Sequence, residues 1–223
     1  MPTALRVVAI TDRRLMVAPE LLAGQPDHPG GPARPDWSAI AAAFGQAIAR
    51  AIAGCPDGSV IVQVREKDLD GGPLLQLVHA AQVHAPVVVN DRLDVALAAG
   101  AHGVHLPERG LAVADARTLA PTLVVGVSRH AAPLDDDADL IQLGPIWPTP
   151  SKPAAIPLGE TALAWPHGAA TLIAVGGIDS PDRALRAAAA GADAVAIIRA
   201  AWTGLSLAAY VAAVETGLTN RPH

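Results

Sequence analysis

Aromatic side chains are scarce in this sequence: one Phe, one Tyr and four Trp stand among 223 residues. Rings this few offer no platform on which bases could stack. No run of cations compensates, and the net charge is -5. A nucleic-acid partner is therefore not expected. Cysteine is scarcer still. Cys55 stands alone, so no internal disulfide forms and no Cys-x-x-Cys metal or redox motif is present. A lone thiol without a secretory leader suits a reducing compartment, and a cytoplasmic protein is expected. No apolar run reaches the ~18 residues of a membrane span. Even the Ala-rich stretches are interrupted by Arg, Asp or Gly, so no membrane partner is expected.

What the chain has in quantity is aliphatic. Hydrophobic residues make up 51% of it, so the core must be built from Ala, Val, Leu and Ile. Short Val- and Ile-rich runs at 5–10, 60–64, 86–89, 103–106, 123–127, 140–143, 172–175 and 194–198 are apolar at nearly every position. Strands covered on both faces read this way. Helical stretches are expected between them, at 36–53, 72–84, 91–99, 112–119 and 205–217. Another follows Ser180, with Ser180 as N-cap, Pro181 in the first turn and Gly191 past the end. The fifth crossover, 131–137, and the sixth, around 158–165, are short. The alternation predicts an α/β protein, a single (β/α)8 TIM barrel spanning 1–223; a doubly wound open sheet is the competing architecture. The Gly- and Pro-dense segment 24–36 reads as a loop insertion.

The polar residues gather just after the strands. Asp12 and Arg13 follow the first, Gln63, Arg65, Glu66 and Lys67 the second, and Asn90, Asp91 and Arg92 the third. His105 and Glu108, then Ser128, Arg129 and His130, then Thr149, Ser151 and Lys152 follow the next three. Gly176 and Gly177 end the seventh strand, and Ile198 and Arg199 end the eighth. In a barrel all these ends share one face, where active sites form. Gly176-Gly177 lets backbone N–H groups approach a ligand, so a phosphate site is expected there, with Arg199 beside it. Gln63, Arg65 and Lys67 alternate on extended chain and point one way, as a second anion site would require, or else pair with Glu66 and Asp68 at the surface. Asp91 either caps the following helix or ligates Mg2+. His130 is the general acid/base candidate by residue type.

Taken together, several stretches resemble the thiamin phosphate synthase and TenI superfamily. They are Val7-Val8-Ala9-Ile10-Thr11-Asp12, Val62-Gln63-Val64-Arg65-Glu66-Lys67, Val89-Asn90-Asp91-Arg92, Gly103-Val104-His105-Leu106-Pro107, Gly126-Val127-Ser128-Arg129-His130, Leu143-Gly144-Pro145-Ile146-Trp147-Pro148-Thr149-Pro150-Ser151-Lys152 and Ala174-Val175-Gly176-Gly177-Ile178. The resemblance implies a (β/α)8 barrel and a phosphorylated thiazole substrate. In a synthase it puts Gln63, Arg65, Lys67, Asn90, Ser128 and Lys152 around pyrophosphate, with Mg2+ on Asp91. Thr149, Ser151, Gly176, Gly177, Ile198 and Arg199 fall with the phosphate sites. In the TenI branch it makes His130, with Ser128 and Lys152, the machinery of a proton shift that needs no metal cofactor.

The chain departs from the synthase pattern after the fourth strand. Synthases carry Gly-Gln-x-Asp there, the Asp being a second metal ligand. This sequence reads Pro107-Glu108-Arg109-Gly110, with Glu108 at the Gln position and Gly110 at the Asp position. Arg199 also replaces a Ser common in the family. A lost metal carboxylate harms pyrophosphate departure more than a proton shift, so the sequence favours a TenI-type thiazole tautomerase. Thiamin phosphate synthase is the alternative, and a non-catalytic thiazole-phosphate-binding protein the third reading. Apolar residues on the last helices are candidates for a homodimer contact.

Overall fold

Successive side chains of a strand point to opposite faces, and this alternation explains how the apolar runs are used. In the computed structural model, residues 5–26, 33–134, 137–204 and 206–221 are described. Eight parallel strands close into a barrel. They are β1 (Val7–Ile10), β2 (Val60–Val64), β3 (Val87–Asn90), β4 (Gly103–Leu106), β5 (Val124–Arg129), β6 (Leu140–Leu143), β7 (Thr171–Val175) and β8 (Ala194–Ile197). Each pairs with its sequence neighbours. The ring closes where Val7, Val8 and Ala9 of β1 meet Val195, Ala196 and Ile197 of β8. The open doubly wound sheet is therefore not the one formed.

Outward residues such as Val7, Ala9, Val62, Val89 and Ile141 join the helices in the larger core. Inward residues Val8, Ile61, Val88, Leu140, Ile173 and Ala194 fill the barrel. Both sets are apolar, so the strands carry no amphipathic signal. One step further along the inward face the chemistry changes. Gln63 follows Ile61, Asn90 follows Val88, and Gln142 follows Leu140 on the same two-residue period. His105 and Ser128 stand level with them, since Asn90 pairs with His105 and Ser128 with Gln142 across the ladder. The top interior layer of strands β2 to β6 is thus polar.

The helices are α1 (Arg13–Met16), α2 (Pro19–Ala23), α3 (Trp37–Ile52), α4 (Gly71–Gln82), α5 (Leu93–Ala98), α6 (Val113–Leu119), α7 (Pro181–Ala189), α8 (Arg199–Trp202) and α9 (Leu207–Thr219). The Asp36 carboxylate caps α3 by accepting from the N–H groups of Ser38 and Ala39. Ser180 caps α7 as expected, accepting from Arg183 N. A Cβ on Gly217 would stand 2.7 Å from Ala188 Cβ, so a glycine is what lets α9 lie close on α7.

Several expectations need correction. Residues 24–36 are not merely loop: Gln25–Pro26 and Ala33–Arg34 pair as a small antiparallel ribbon, while 27–32 lie outside the described residues. The helix expected from 91 begins at Leu93, with Arg92 at its N-cap, so Asp91 does not cap it. The sixth crossover, by contrast, is short as expected and carries a 3-10 turn, Glu160–Ala164. The last helices do not offer the apolar surface expected of them. Among the described residues, the exposed large apolar side chains include Val83, Leu97 and Leu119, whereas α9 buries Leu207, Tyr210, Val211 and Val214. No helix among the described residues is long and apolar enough to cross a membrane.

Candidate active site

The polar layer is the floor of a cavity of about 500 Å3 at the C-terminal ends of the strands. Gln142 Nε2 donates to Gln63 Oε1 at 2.6 Å, and Gln63 Nε2 donates to Asn90 Oδ1 at 3.2 Å. The relay runs outward, which leaves the amide hydrogens of Asn90 for the cavity. Gln142 escaped the sequence reading; its only signal was one polar residue inside the buried run Leu140–Leu143. His105 is fully enclosed, with Nε2 at 2.8 Å from Ser128 Oγ and Nδ1 without a partner. Burial, then the charges of Arg65 and Arg129, push its pKa down to about 3, so the ring is neutral. A buried N–H without a partner costs more than a bare acceptor nitrogen. The proton therefore belongs on Nε2, and the Ser128 hydroxyl keeps its own hydrogen for a ligand.

The wall on the β1–β2 side separates its charges. Glu66, only 3% exposed along its side chain, accepts from Thr11 Oγ1 at 2.8 Å, Arg13 N at 3.0 Å and Arg13 Nη1 at 2.9 Å. Burial raises its pKa, and these partners only partly offset that. Asp68 binds Arg13 and Arg14, each at 2.7 Å, and the Arg13 bond leads the interactions that hold it down at about 2. The acids expected to pair with Arg65 and Lys67 are thus taken by α1. Neither Arg65 nor Lys67 has a carboxylate partner among the described residues, and both line the cavity.

On the opposite wall three side chains form a chain of contacts. Glu108 Oε2 lies 2.7 Å from His130 Nδ1, and His130 Nε2 lies 2.6 Å from Lys152 Nζ. The His130 backbone N–H also donates to Glu108 Oε1 at 3.2 Å. Burial and then Arg65 push the Lys152 ammonium below its ordinary pKa, with Glu108 opposing. Burial is the largest single influence on the Glu108 carboxyl and would raise it, but the bonds to the His130 ring and backbone, with nearby positive charge, together leave the carboxyl low. Sequence reasoning singled out His130 and Lys152 but did not connect them to each other or to Glu108.

A side compartment of about 110 Å3 opens beside the cavity, lined by Thr149, Ser151, Gly176, Gly177, Ile198 and Arg199. Ser151, Val175, Ile198 and Arg199 line both spaces. Arg199 starts α8, and its guanidinium has no partner among the described residues. Gly177 has φ +76°, and a Cβ there would meet Trp147 Cβ at 2.6 Å. Its carbonyl accepts from Arg183 Nη1 at 2.5 Å. Arg183 and Arg186 in turn stack on Trp147, at 5.6 and 5.7 Å from the ring centre. The glycine turn is therefore fixed by packing.

Asp91 directly follows Asn90 at the end of β3; its side chain is exposed and is not among those that line the cavity. Its φ is 65°, a left-handed conformation that Asp tolerates better than most residues. The Asp91 N–H donates to His105 O at 2.8 Å. Its carboxylate is near Gly110, where a Cβ would stand 3.3 Å from Asp91 Oδ1. No group of three or more metal-binding side chains occurs among the described residues. The donors fit a Mg2+ ion that takes one protein carboxylate and otherwise keeps water and substrate phosphate oxygens, the usual habit of that ion. They do not fit an all-protein cage.

The family model described as thiamine monophosphate synthase (TMP-TENI) matches residues 35–201. A thiamine-phosphate synthase from Anaeromyxobacter dehalogenans is 39% identical over 169 residues, which is 69% of this chain and 74% of that protein. One from Thermus thermophilus is 35% identical over 182 residues, covering 75% and 84%. Among solved structures, a thiamine phosphate pyrophosphorylase from Pyrococcus furiosus superposes with a TM-score of 0.63 at 24% identity, covering 98% of this chain and 97% of that one. That last likeness bears on the fold alone, and it is the same barrel. The curated relatives carry synthase names, which moves the balance away from the tautomerase that the sequence favoured. By the family match and by these relatives, this chain belongs to the thiamine monophosphate synthase (TMP-TENI) family of thiamine-biosynthesis enzymes.

Proposed function

We propose that the protein is a thiamin phosphate synthase, which couples a pyrimidine methyl pyrophosphate to a thiazole phosphate and releases pyrophosphate. The observation that carries this reading is the pair of adjoining anion compartments. They share Ser151, Val175, Ile198 and Arg199, as two phosphorylated substrates meeting at one bond would require. An isomerisation of a thiazole carboxylate phosphate brings a single substrate to the site and does not require room for two.

In the coupling, a C–O bond to pyrophosphate breaks and a C–N bond to the thiazole nitrogen forms. That nitrogen carries no proton, so the step needs charge stabilisation on the leaving group rather than a base. Arg65, Lys67 and Lys152 face the space where that charge would grow, and Asn90 and Ser128 present hydrogens from the floor. The side compartment at Gly176–Gly177, with Thr149, Ser151 and Arg199, would hold the thiazole phosphate. Mg2+, when bound, supplies further neutralisation of the departing pyrophosphate, with Asp91 as its protein ligand.

The tautomerase remains the second reading, and one feature favours it. Glu108 orients His130 as a carboxylate orients a general base. A paired assay separates the two. Purified protein receives pyrimidine pyrophosphate with thiazole phosphate in one arm and the non-aromatic thiazole tautomer in the other, each with and without Mg2+. The synthase reading expects Mg2+-dependent thiamin phosphate. Metal-independent aromatisation with no thiamin phosphate would overturn it, and neither product would leave the non-catalytic binder.

A further inference from the structure

We infer that Glu108 is a positioning residue, which acts through His130 to hold the Lys152 ammonium against the pyrophosphate space. The inference rests on the synthase reading for the identity of the anion, but not for the geometry. Carboxylate oxygens only accept hydrogen bonds, and an ammonium only donates. Glu108 Oε2 at 2.7 Å therefore requires the hydrogen on His130 Nδ1. Lys152 Nζ at 2.6 Å requires a bare Nε2. With Glu108 a carboxylate and Lys152 an ammonium, these two one-way neighbours leave the imidazole one form, with its hydrogen on Nδ1. In that form one ammonium hydrogen is fixed on Nε2 and the other two are turned to the cavity that Lys152 lines. The second bond to Glu108, from the His130 backbone, ties the ring to the same carboxyl and limits its rotation. A coupling reaction moves no proton to or from the thiazole nitrogen. His130 in a synthase is thus a bridge from an anchored carboxylate to a cation.

The sign of one substitution tests this. Glu108→Gln takes a negative charge out of a pocket for an anion. A purely electrostatic role for Glu108 predicts tighter binding of pyrophosphate. A positioning role predicts weaker binding, because an amide can donate as well as accept and no longer dictates the His130 tautomer. The Glu108 and His130 side chains are 39% and 36% exposed, so the fold should survive, and a thermal melt checks it. Inorganic pyrophosphate is titrated calorimetrically into the wild type, Glu108→Gln and Glu108→Asp, without and with Mg2+. In parallel, 15N-histidine spectra report the His130 tautomer.

The expected result has Nδ1–H in the wild type and a mixture of tautomers in Glu108→Gln. Pyrophosphate affinity should fall by about ten-fold in Glu108→Gln, with partial recovery of both readouts in Glu108→Asp. Tighter binding in Glu108→Gln, an unchanged tautomer there, or an Nε2–H ring in the wild type would each overturn the inference. A wild type that shows the Nδ1–H ring but ignores pyrophosphate would instead overturn the synthase reading, and with it the role given to Lys152.

Discussion

A Cβ on Gly110 would stand 3.3 Å from Asp91 Oδ1. The position where the synthase pattern carries a second acidic ligand is thus adjacent to the carboxylate that is present. The loss is local, and so is its remedy. Gly110→Asp should tighten Mg2+ binding by about ten-fold, since the ion gains a second carboxylate while keeping its water and phosphate partners. The added Cβ would meet Pro107 Cδ at 2.9 Å, so the turn must shift slightly to admit it. Mg2+ titration of the pyrophosphate complex reads the outcome. An unchanged affinity with an unchanged melt would mean that the missing carboxylate does not limit metal binding.

Arg199 is the sharper probe of the phosphate compartment. Gly177→Glu would bring bulk and charge against a phosphate, but the structure shows it would also drive Trp147 from beneath Arg183 and Arg186. Lost binding would then report packing as much as ligand contact. The Arg199 side chain is exposed and lines both compartments. Arg199→Glu should weaken thiazole phosphate binding by about 100-fold, because it replaces an attractive charge with a repulsive one. Arg199→Ser should cost less. Equal affinities across wild type and both variants would remove Arg199 from the site.

The barrel was legible because its signal is spread over the chain. Eight runs such as 60–64 and 140–143 repeat one pattern, and a boundary error of a residue or two does not change it. The cavity lining was legible where side chains closely follow a strand, as at Arg65 and Lys67 after β2. It was not legible where function depends on pairing at a distance. Nothing near Glu66 in the sequence says that Arg13, from another strand's loop, takes its charge. Gln142 was hidden because one polar residue in an apolar run looks like noise until the barrel closes it onto Gln63. The short helices α1, α2 and α8 span only four or five residues each, too few for periodicity to show.

His105 gives the fold a measurable pH dependence. Its pKa falls from 6.5 to about 3 on folding, chiefly through burial. Above pH 6.5 the ring is neutral folded or unfolded, and it contributes no slope. As the pH drops from there toward 3, the unfolded chain takes up a proton that the folded one refuses, so stability declines. His105→Gln keeps an N–H for Ser128 and removes the titration. Chemical denaturation between pH 7 and 4 should show the wild type losing more stability, the difference approaching about 1.4 kcal/mol per pH unit. The difference is the right quantity. Asp68, held at about 2, loses its own contribution over the lower part of the range in both proteins. Parallel curves would mean that folded His105 takes up its proton as readily as the unfolded chain does.

His130→Ala distinguishes how the same ring would serve the two reactions. In a proton shift His130 would itself carry the proton, and its loss should lower turnover by about 100-fold or more. In the coupling it would only seat Lys152, which keeps its charge when the ring is gone but loses the contact that aims it. The kcat/KM should then fall by about ten-fold, with the greater part in the KM for the pyrimidine pyrophosphate. Lys152→Ala should do more damage to coupling than His130→Ala, because it removes the cation and not only its support. The reverse order, with His130→Ala the more harmful in coupling, would make the ring a catalytic group in its own right. It would also mean that a proton moves in a step for which charge stabilisation alone should suffice.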